Sequence, residues 1–125
     1  MTGPSILIVD DHGPFRAQAR EMPTEAGFTV VGEAVDGQGA LTAVQRMRPA
    51  VVLLDVQLPD LDGFEVTRRL LAGREPPAVV LTSTREASDY GRRIDRSGAL
   101  GFITKSRLSG DTLQAMLPGN NEGVR

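Results

Sequence analysis

Five short aliphatic runs, each followed by a longer amphipathic stretch, constrain this chain more than any other feature. The runs are Ser5–Val9, Thr29–Glu33, Val51–Leu54, Ala78–Thr82 and Leu100–Thr104. A run that is apolar on both faces, as Val51–Leu54 is, suits a strand inside a covered sheet, and strands alternating with helical segments pair in parallel. Five βα units with right-handed crossovers build an open, doubly wound α/β sheet, for which a short chain favours the strand order 2-1-3-4-5. Strands one and three then lie side by side where the winding reverses, and ligands bind outside the carboxyl ends of strands at that point.

The segments between the runs are punctuated as helices. The first repeats apolar residues at Phe15, Ala19, Met22 and Ala26, with Pro14 near its first turn. Pro23 would remove a backbone hydrogen bond deep in that helix and clash with the preceding turn, at about 3 kcal/mol, so a kink or an early end is expected there. Gly27 is a helix stop, Asp36-Gly37 opens a second helix carrying Leu41, Val44 and Met47, and Pro49 closes it. The loop Gln57-Leu58-Pro59-Asp60 leads to a third helix with Phe64, Thr67, Leu70 and Leu71, ended by Gly73 and Pro76-Pro77. A fourth helix is expected over Ala87–Ser97, and a short last one holds Leu113, Met116 and Leu117. Residues 1–120 read as one domain and 121–125 as a polar tail, with no internal repeat and no linker to a second domain.

Composition narrows the chemistry. A net charge of -2 offers no electrostatic footprint for nucleic acid or anionic lipid, so direct DNA binding by this chain is not expected. With no cysteine and one histidine, His12, a thiolate site, a disulfide framework and a typical zinc site are all excluded, and any metal must sit on oxygen ligands. No stretch approaches 18 apolar residues and the start lacks an export signal, so the expectation is a cytoplasmic chain without a membrane partner.

Four of the runs lead into residues suited to one task. Asp10-Asp11 follow the first, Asp55 the third, Ser83 the fourth and Lys105 the fifth. Parallel neighbours lie about 4.8 Å apart, so Asp10 and Asp11 should flank Asp55 on one side and Ser83 on the other, while the four-carbon stem of Lys105 bridges one further strand. Two carboxylates about 4 Å apart repel by roughly 4 kcal/mol at an effective dielectric near 20, so three of them call for a cation or a raised pKa. Mg2+ is the natural candidate, because it takes oxygen ligands and leaves room for phosphate oxygens. An ionised Asp55 could then attack a phosphoryl donor in line, with Mg2+ and Lys105 offsetting charge on the transferred group. Taken singly, each residue has a structural explanation: Asp10, Asp11 and Ser83 as helix caps, Asp55 as a strand end, Lys105 as a solvated surface charge. Only the set points to chemistry. His12 reads as a loop or capping residue outside the site, and Gly37-Gln38-Gly39 follows the wrong strand and lacks the third glycine of a dinucleotide fingerprint.

From about residue 5 to residue 118 the chain resembles the receiver domain of two-component response regulators, a flavodoxin-like fold. The resemblance is carried by Ile-Leu-Ile-Val-Asp10-Asp11, Leu-Leu-Asp55-Val-Gln57-Leu-Pro59-Asp-Leu-Asp-Gly63, Val-Leu-Thr-Ser83 and Gly98-Ala-Leu-Gly101-Phe102-Ile-Thr-Lys105. Asp-Asp-His with Phe15-Arg16 nearby, and Val-Val-Gly32-Glu-Ala, are similar to receivers that usually precede a helix-turn-helix output domain. The resemblance implies that Asp55 accepts phosphate from a sensor histidine kinase. It implies that Asp10, Asp11 and Asp55 hold Mg2+ with the Gln57 backbone carbonyl, and that Ser83 and Lys105 contact the phosphoryl oxygens. It further implies that Ser83 couples to rotation of the aromatic at Phe102, reshaping an interaction surface read by an output domain or partner protein outside this chain, with a homodimer as a further arrangement. Such a domain is regulatory rather than an enzyme, although it promotes its own phosphoryl transfer and dephosphorylation.

Three departures bear on these implications. Phe102 lacks the tyrosine hydroxyl often found there, Ser106 stands where many receivers carry proline and puts the usual cis peptide there in question, and Pro23 perturbs the family's main kinase-docking helix. The alignment spacing favours Ser83 over Thr82 as the switch hydroxyl. The rivals are a receiver-fold interaction module that signals without phosphate, and a phosphatase of the haloacid dehalogenase type, for which Gln57 occupies the place of a needed second aspartate.

Overall fold

The computed structural model describes residues 3–22 and 27–117. In chain order the elements are β1 (Ser5–Val9), α1 (Gly13–Arg20), β2 (Thr29–Ala34), α2 (Gly37–Met47), β3 (Val51–Asp55), α3 (Gly63–Leu71), β4 (Ala78–Ser83), α4 (Arg92–Ser97), β5 (Gly101–Thr104) and α5 (Gly110–Met116). The strands form one sheet in the order β2-β1-β3-β4-β5, with every pairing parallel, as the alternation of runs and helices requires. β3 is buried along its whole length, which accounts for its lack of a polar face.

Side-chain alternation divides the strands between two cores. One face carries Leu7, Val9, Val52, Leu54, Val79 and Leu81 against Ala40 and Ala43 of α2 and Val66 and Leu70 of α3. The other carries Ile6, Ile8, Val51, Leu53, Val80 and Ile103 against Phe15 and Ala19 of α1 and Leu113 of α5. Each fully buried aliphatic side chain contributes about 1.5–3 kcal/mol, so the register that keeps both sets inside is strongly preferred.

The helix starts behave as their residues dictate. Asp36 accepts the Gly39 N–H at 2.7 Å, Asp62 accepts the Glu65 N–H at 2.8 Å, and Ser109 accepts the Thr112 N–H at 3.0 Å while Thr112 reaches back to the Ser109 N–H. α1 closes at Arg20 with a tightened last turn, Glu21 N–H bonding Gln18 and Met22 N–H bonding Ala19. The expectations for Ala26 and for a kink at Pro23 lie outside the described residues, as does the polar tail at 121–125.

The expected fourth helix over Ala87–Ser97 is instead two pieces. Glu86 and Asp89 cap a 3-10 turn over Ala87–Asp89, Gly91 takes φ +59°, and α4 begins only at Arg92. Glycine alone adopts that backbone without strain, and the break interrupts the i to i−4 ladder. No residue of α4 is buried, so no apolar stripe opposes the break. Around Lys105 the chain forms another 3-10 turn, Lys105–Arg107, and no cis peptide occurs among the described residues.

Candidate functional site

Along β1, residues Ile6 and Ile8 share a face with Asp10; along β3, Val51 and Leu53 share it with Asp55; and Ile103 of β5 leads on the same side to Lys105. The three polar side chains therefore converge because the alternation that buries the α1/α5 core continues to the last residue of β3 and one residue beyond β1 and β5. They line a cleft of about 540 Å3 together with Asp11, His12, Pro14, Phe15, Gln18, Gln57 and Thr84.

Asp10 is wholly buried, Asp55 is 5% exposed and Asp11 is exposed. One carboxylate oxygen from each of the three lies within 4.8 Å of the others. Asp10 Oδ1 accepts the His12 N–H at 2.9 Å, and its Oδ2 meets Lys105 Nζ at 2.6 Å as a charge contact without hydrogen-bond alignment, so that buried oxygen keeps unfilled lone pairs. Lys105 Nζ also stands 3.5 Å from Asp55 Oδ2 and 4.4 Å from the centre of the Phe15 ring. The long stem does cross a strand, but the ammonium is held by two carboxylates and an aromatic face. Asp55 Oδ1 accepts the Gln57 N–H at 3.1 Å. Burial, and then the charge of Asp10, push the Asp55 carboxyl up to about 6 against the opposing pull of the Gln57 N–H and Lys105.

Surrounding contacts hold this geometry. Arg16 Nη1 donates to the Asp10 backbone carbonyl at 2.8 Å while its Nε pairs with Glu33 at 2.9 Å, tying α1, β2 and the acidic loop together. Paired with Arg20 and Arg16, the Glu33 carboxyl is held below its ordinary value. The loop after β3 is pinned at its far end, since Asp60 accepts the Gly37 and Gln38 N–H groups at 2.7 and 2.9 Å across the start of α2. Gly63 lies so close to β3 that a Cβ there would stand 2.6 Å from the Asp55 carbonyl oxygen.

The sequence expectations separate at β4. Asp10, Asp11, Asp55 and Lys105 come together as anticipated, and Gln57 lines the same cleft. Ser83 stands at the expected strand end but on the opposite face, in phase with Val79 and Leu81, where its hydroxyl lies 2.7 Å from the Tyr90 phenol. Thr84, not Ser83, is the β4-end residue that lines the cleft. Thr82 pairs in register with Asp55 and is fully buried, its Oγ1 without a hydrogen-bond partner. Counting by twos from Val80 along β4 carries this signal in the sequence. Phe15, read only as a core residue, also faces Lys105, and His12, left outside the site, lines the cleft.

Residues 6–117 match the response regulator receiver domain family. The response regulator GacA of Pseudomonas protegens is 34% identical over 112 residues, covering 89% of this chain and 53% of that protein. BvgA of Bordetella pertussis, named as a positive transcription regulator of virulence factors, is 37% identical over 100 residues, covering 80% of this chain and 48% of that protein. The chain thus spans about half the length of the curated relatives it matches. Among solved structures, the signal receiver domain of the response regulator NarL from Mycobacterium tuberculosis superposes with a TM-score of 0.83 at 29% identity, covering 97% of this chain and 98% of that one. The chemotaxis response regulator CheY4 of Vibrio cholerae superposes with a TM-score of 0.80 at 26% identity, covering 93% of this chain and all of that one.

Proposed function

Because the chain belongs to the response regulator receiver domain family, we propose that it is a phosphorylation-dependent switch whose acceptor is Asp55. The observation that carries this reading is the convergence of Asp10, Asp11, Asp55 and Lys105 on one cleft at the carboxyl ends of β1, β3 and β5. The donor is a sensor histidine kinase. Asp55, once ionised, attacks phosphorus in line; the bond from phosphorus to the donor nitrogen breaks as the aspartyl phosphate forms. Lys105, already within 3.5 Å of Asp55, faces the charge that gathers on the transferred oxygens.

The donor set suits Mg2+. It is all oxygen, it clusters within 4.8 Å, and the buried Asp10 Oδ2 lacks a hydrogen-bond partner. Asp10, Asp11, Asp55 and the Gln57 carbonyl would hold the ion, which when bound supplies positive charge to the carboxylates and the phosphoryl oxygens. On this reading the domain is regulatory, promoting only its own phosphorylation and hydrolysis.

The aspartyl phosphate adds about two negative charges and three acceptor oxygens at a sheet edge, enough to favour one arrangement of a nearby surface. An output domain or partner protein outside these residues reads that surface, and the naming of BvgA as a transcription regulator supports control of transcription as the output. A homodimer formed on phosphorylation belongs to the same proposal, as does a cytoplasmic location. No described helix is long and apolar enough to cross a membrane.

Incubation with Mg2+ and acetyl phosphate, read by intact mass, tests the proposal. A gain of one phosphoryl group that Asp55→Asn abolishes is the expected result. No adduct on the wild type would favour an interaction module independent of phosphate, whereas sustained hydrolysis of varied phosphate esters would indicate a phosphatase.

A further inference from the structure

A serine hydroxyl has one hydrogen and two lone pairs to offer. The Ser83 hydroxyl accepts the Arg85 backbone N–H at 3.1 Å and meets the Tyr90 phenol at 2.7 Å. Ser83 is wholly buried and sits on the sheet face of Leu81, whereas Asp55 and Lys105 sit on the face of Val80 and Ile103. To touch a phosphoryl group on Asp55, its hydroxyl must turn away from Tyr90. The two engagements exclude one another.

Tyr90 is placed to register that exchange. Its ring packs edge-on to Phe64 of α3, with centres 5.6 Å apart, and against Phe102 of β5 at 5.8 Å. Phe102 has no hydroxyl of its own, so the phenol near Ser83 comes from the link between β4 and α4. Gly91 follows Tyr90 directly with φ +59° and open space around it, and α4 beyond has no buried residue. Freed from Ser83, the segment 87–97 is restrained by the ring contacts and by Arg93, which lies 4.3 Å from the Phe64 ring and 3.4 Å from Asp62.

We propose that Tyr90 is a positioning residue that holds the Ser83 hydroxyl off the cleft, so that Ser83 serves the Tyr90 phenol before phosphorylation and the aspartyl phosphate after it, and the 87–97 segment is released in the exchange. This rests on Asp55 being the phosphoacceptor. Breaking the Ser83–Tyr90 bond is then part of the cost of phosphorylation, and a hydrogen bond of ordinary strength corresponds to about 2- to 10-fold in the equilibrium.

The chain has one tyrosine and no tryptophan, so its intrinsic emission reports on Tyr90 alone. In the wild type, Mg2+ with beryllium fluoride should shift Tyr90 emission and raise its quenching by acrylamide, and Asp55→Asn should remove both effects. Tyr90→Phe keeps the ring, and should increase the apparent affinity for beryllium fluoride about 2- to 10-fold. In a Ser83→Ala background the same substitution should have no effect, because the pair acts through one bond. Wild type that takes a phosphoryl group without any change in Tyr90 emission overturns the proposal, and so does a Tyr90→Phe effect undiminished by Ser83→Ala. Wild type that takes no phosphoryl group overturns the acceptor reading and this proposal with it.

Discussion

Replacing Asp55 by asparagine should stabilise the metal-free protein. The carboxyl is raised from an ordinary 3.8 to about 6, first by burial and then by Asp10, which corresponds to about 3 kcal/mol if the whole effect were expressed in folding. Solvent entering the cleft screens part of it, leaving about 1–2 kcal/mol. A group with a raised folded-state pKa gives stability that is complete below the unfolded value, near pH 4, and lost as the pH rises through 6. At pH 7 the wild type therefore bears the full cost of a charged Asp55, and at pH 5 about half of it. With Tm moving about 3–5 °C per kcal/mol for a domain of this size, Asp55→Asn should melt about 3–10 °C above wild type at pH 7. The gap should narrow by about half at pH 5. Thermal unfolding in chelator by circular dichroism measures both, and taking the difference between proteins cancels the other titrating groups. On the proposed metal site, added Mg2+ should narrow the gap at pH 7, since a cation favours the ionised wild type over the amide. Equal or lower stability of Asp55→Asn at pH 7, or a gap independent of pH, would refute the reasoning.

Other substitutions probe the supports of the site. Gly63→Ala forces a methyl group to within 2.6 Å of the Asp55 carbonyl and should cost about 1–3 kcal/mol in urea unfolding, with loss of Mg2+ binding by calorimetry as β3 shifts. Lys105→Met leaves the buried Asp10 carboxylate without its counter-charge and should cost about 2–3 kcal/mol at pH 7, along with most of the phosphorylation rate. Asp60→Ala removes the acceptor for two α2 amides, so hydrogen exchange at Gly37 and Gln38 should accelerate while the amides of β3 keep their protection.

Much of this architecture is legible in the chain because strand burial leaves a strong signature. Val51–Leu54 has no polar face, which suits a strand covered on both sides, as central parallel strands are. Asp10, Asp55 and Lys105 are legible for a related reason: each continues the parity of buried neighbours to a strand end or one residue beyond it. Ser83 shows what parity read too loosely misses, since its distance from Lys105 matches the resemblance while its face is that of Leu81. Tyr90 left no local signal at all. It belongs to no periodic stripe, and its importance comes from Phe64, Ser83 and Phe102, which the fold alone brings to it. The fourth helix is shorter than its sequence suggests for the converse reason: polar residues such as Arg92, Arg93 and Arg96 suit a helix well enough, while the break comes from a single glycine, Gly91, at positive φ.

The six residues of α4, with none buried, have a thermodynamic meaning of their own. Helices this short are marginal in water, and in a folded protein it is packing that keeps them formed. With little packing, α4 should open far below the global unfolding free energy, and its amides should exchange earlier than those of β3 or β4. Driving a two-state element from 1:99 to 99:1 takes about 5.5 kcal/mol of differential binding, but an element already near balance responds to much less. Under the proposed phosphorylation, weak anchoring of α4 would act as gain, letting the few charge-assisted bonds of one phosphoryl group produce a large change in population on the surface beside it.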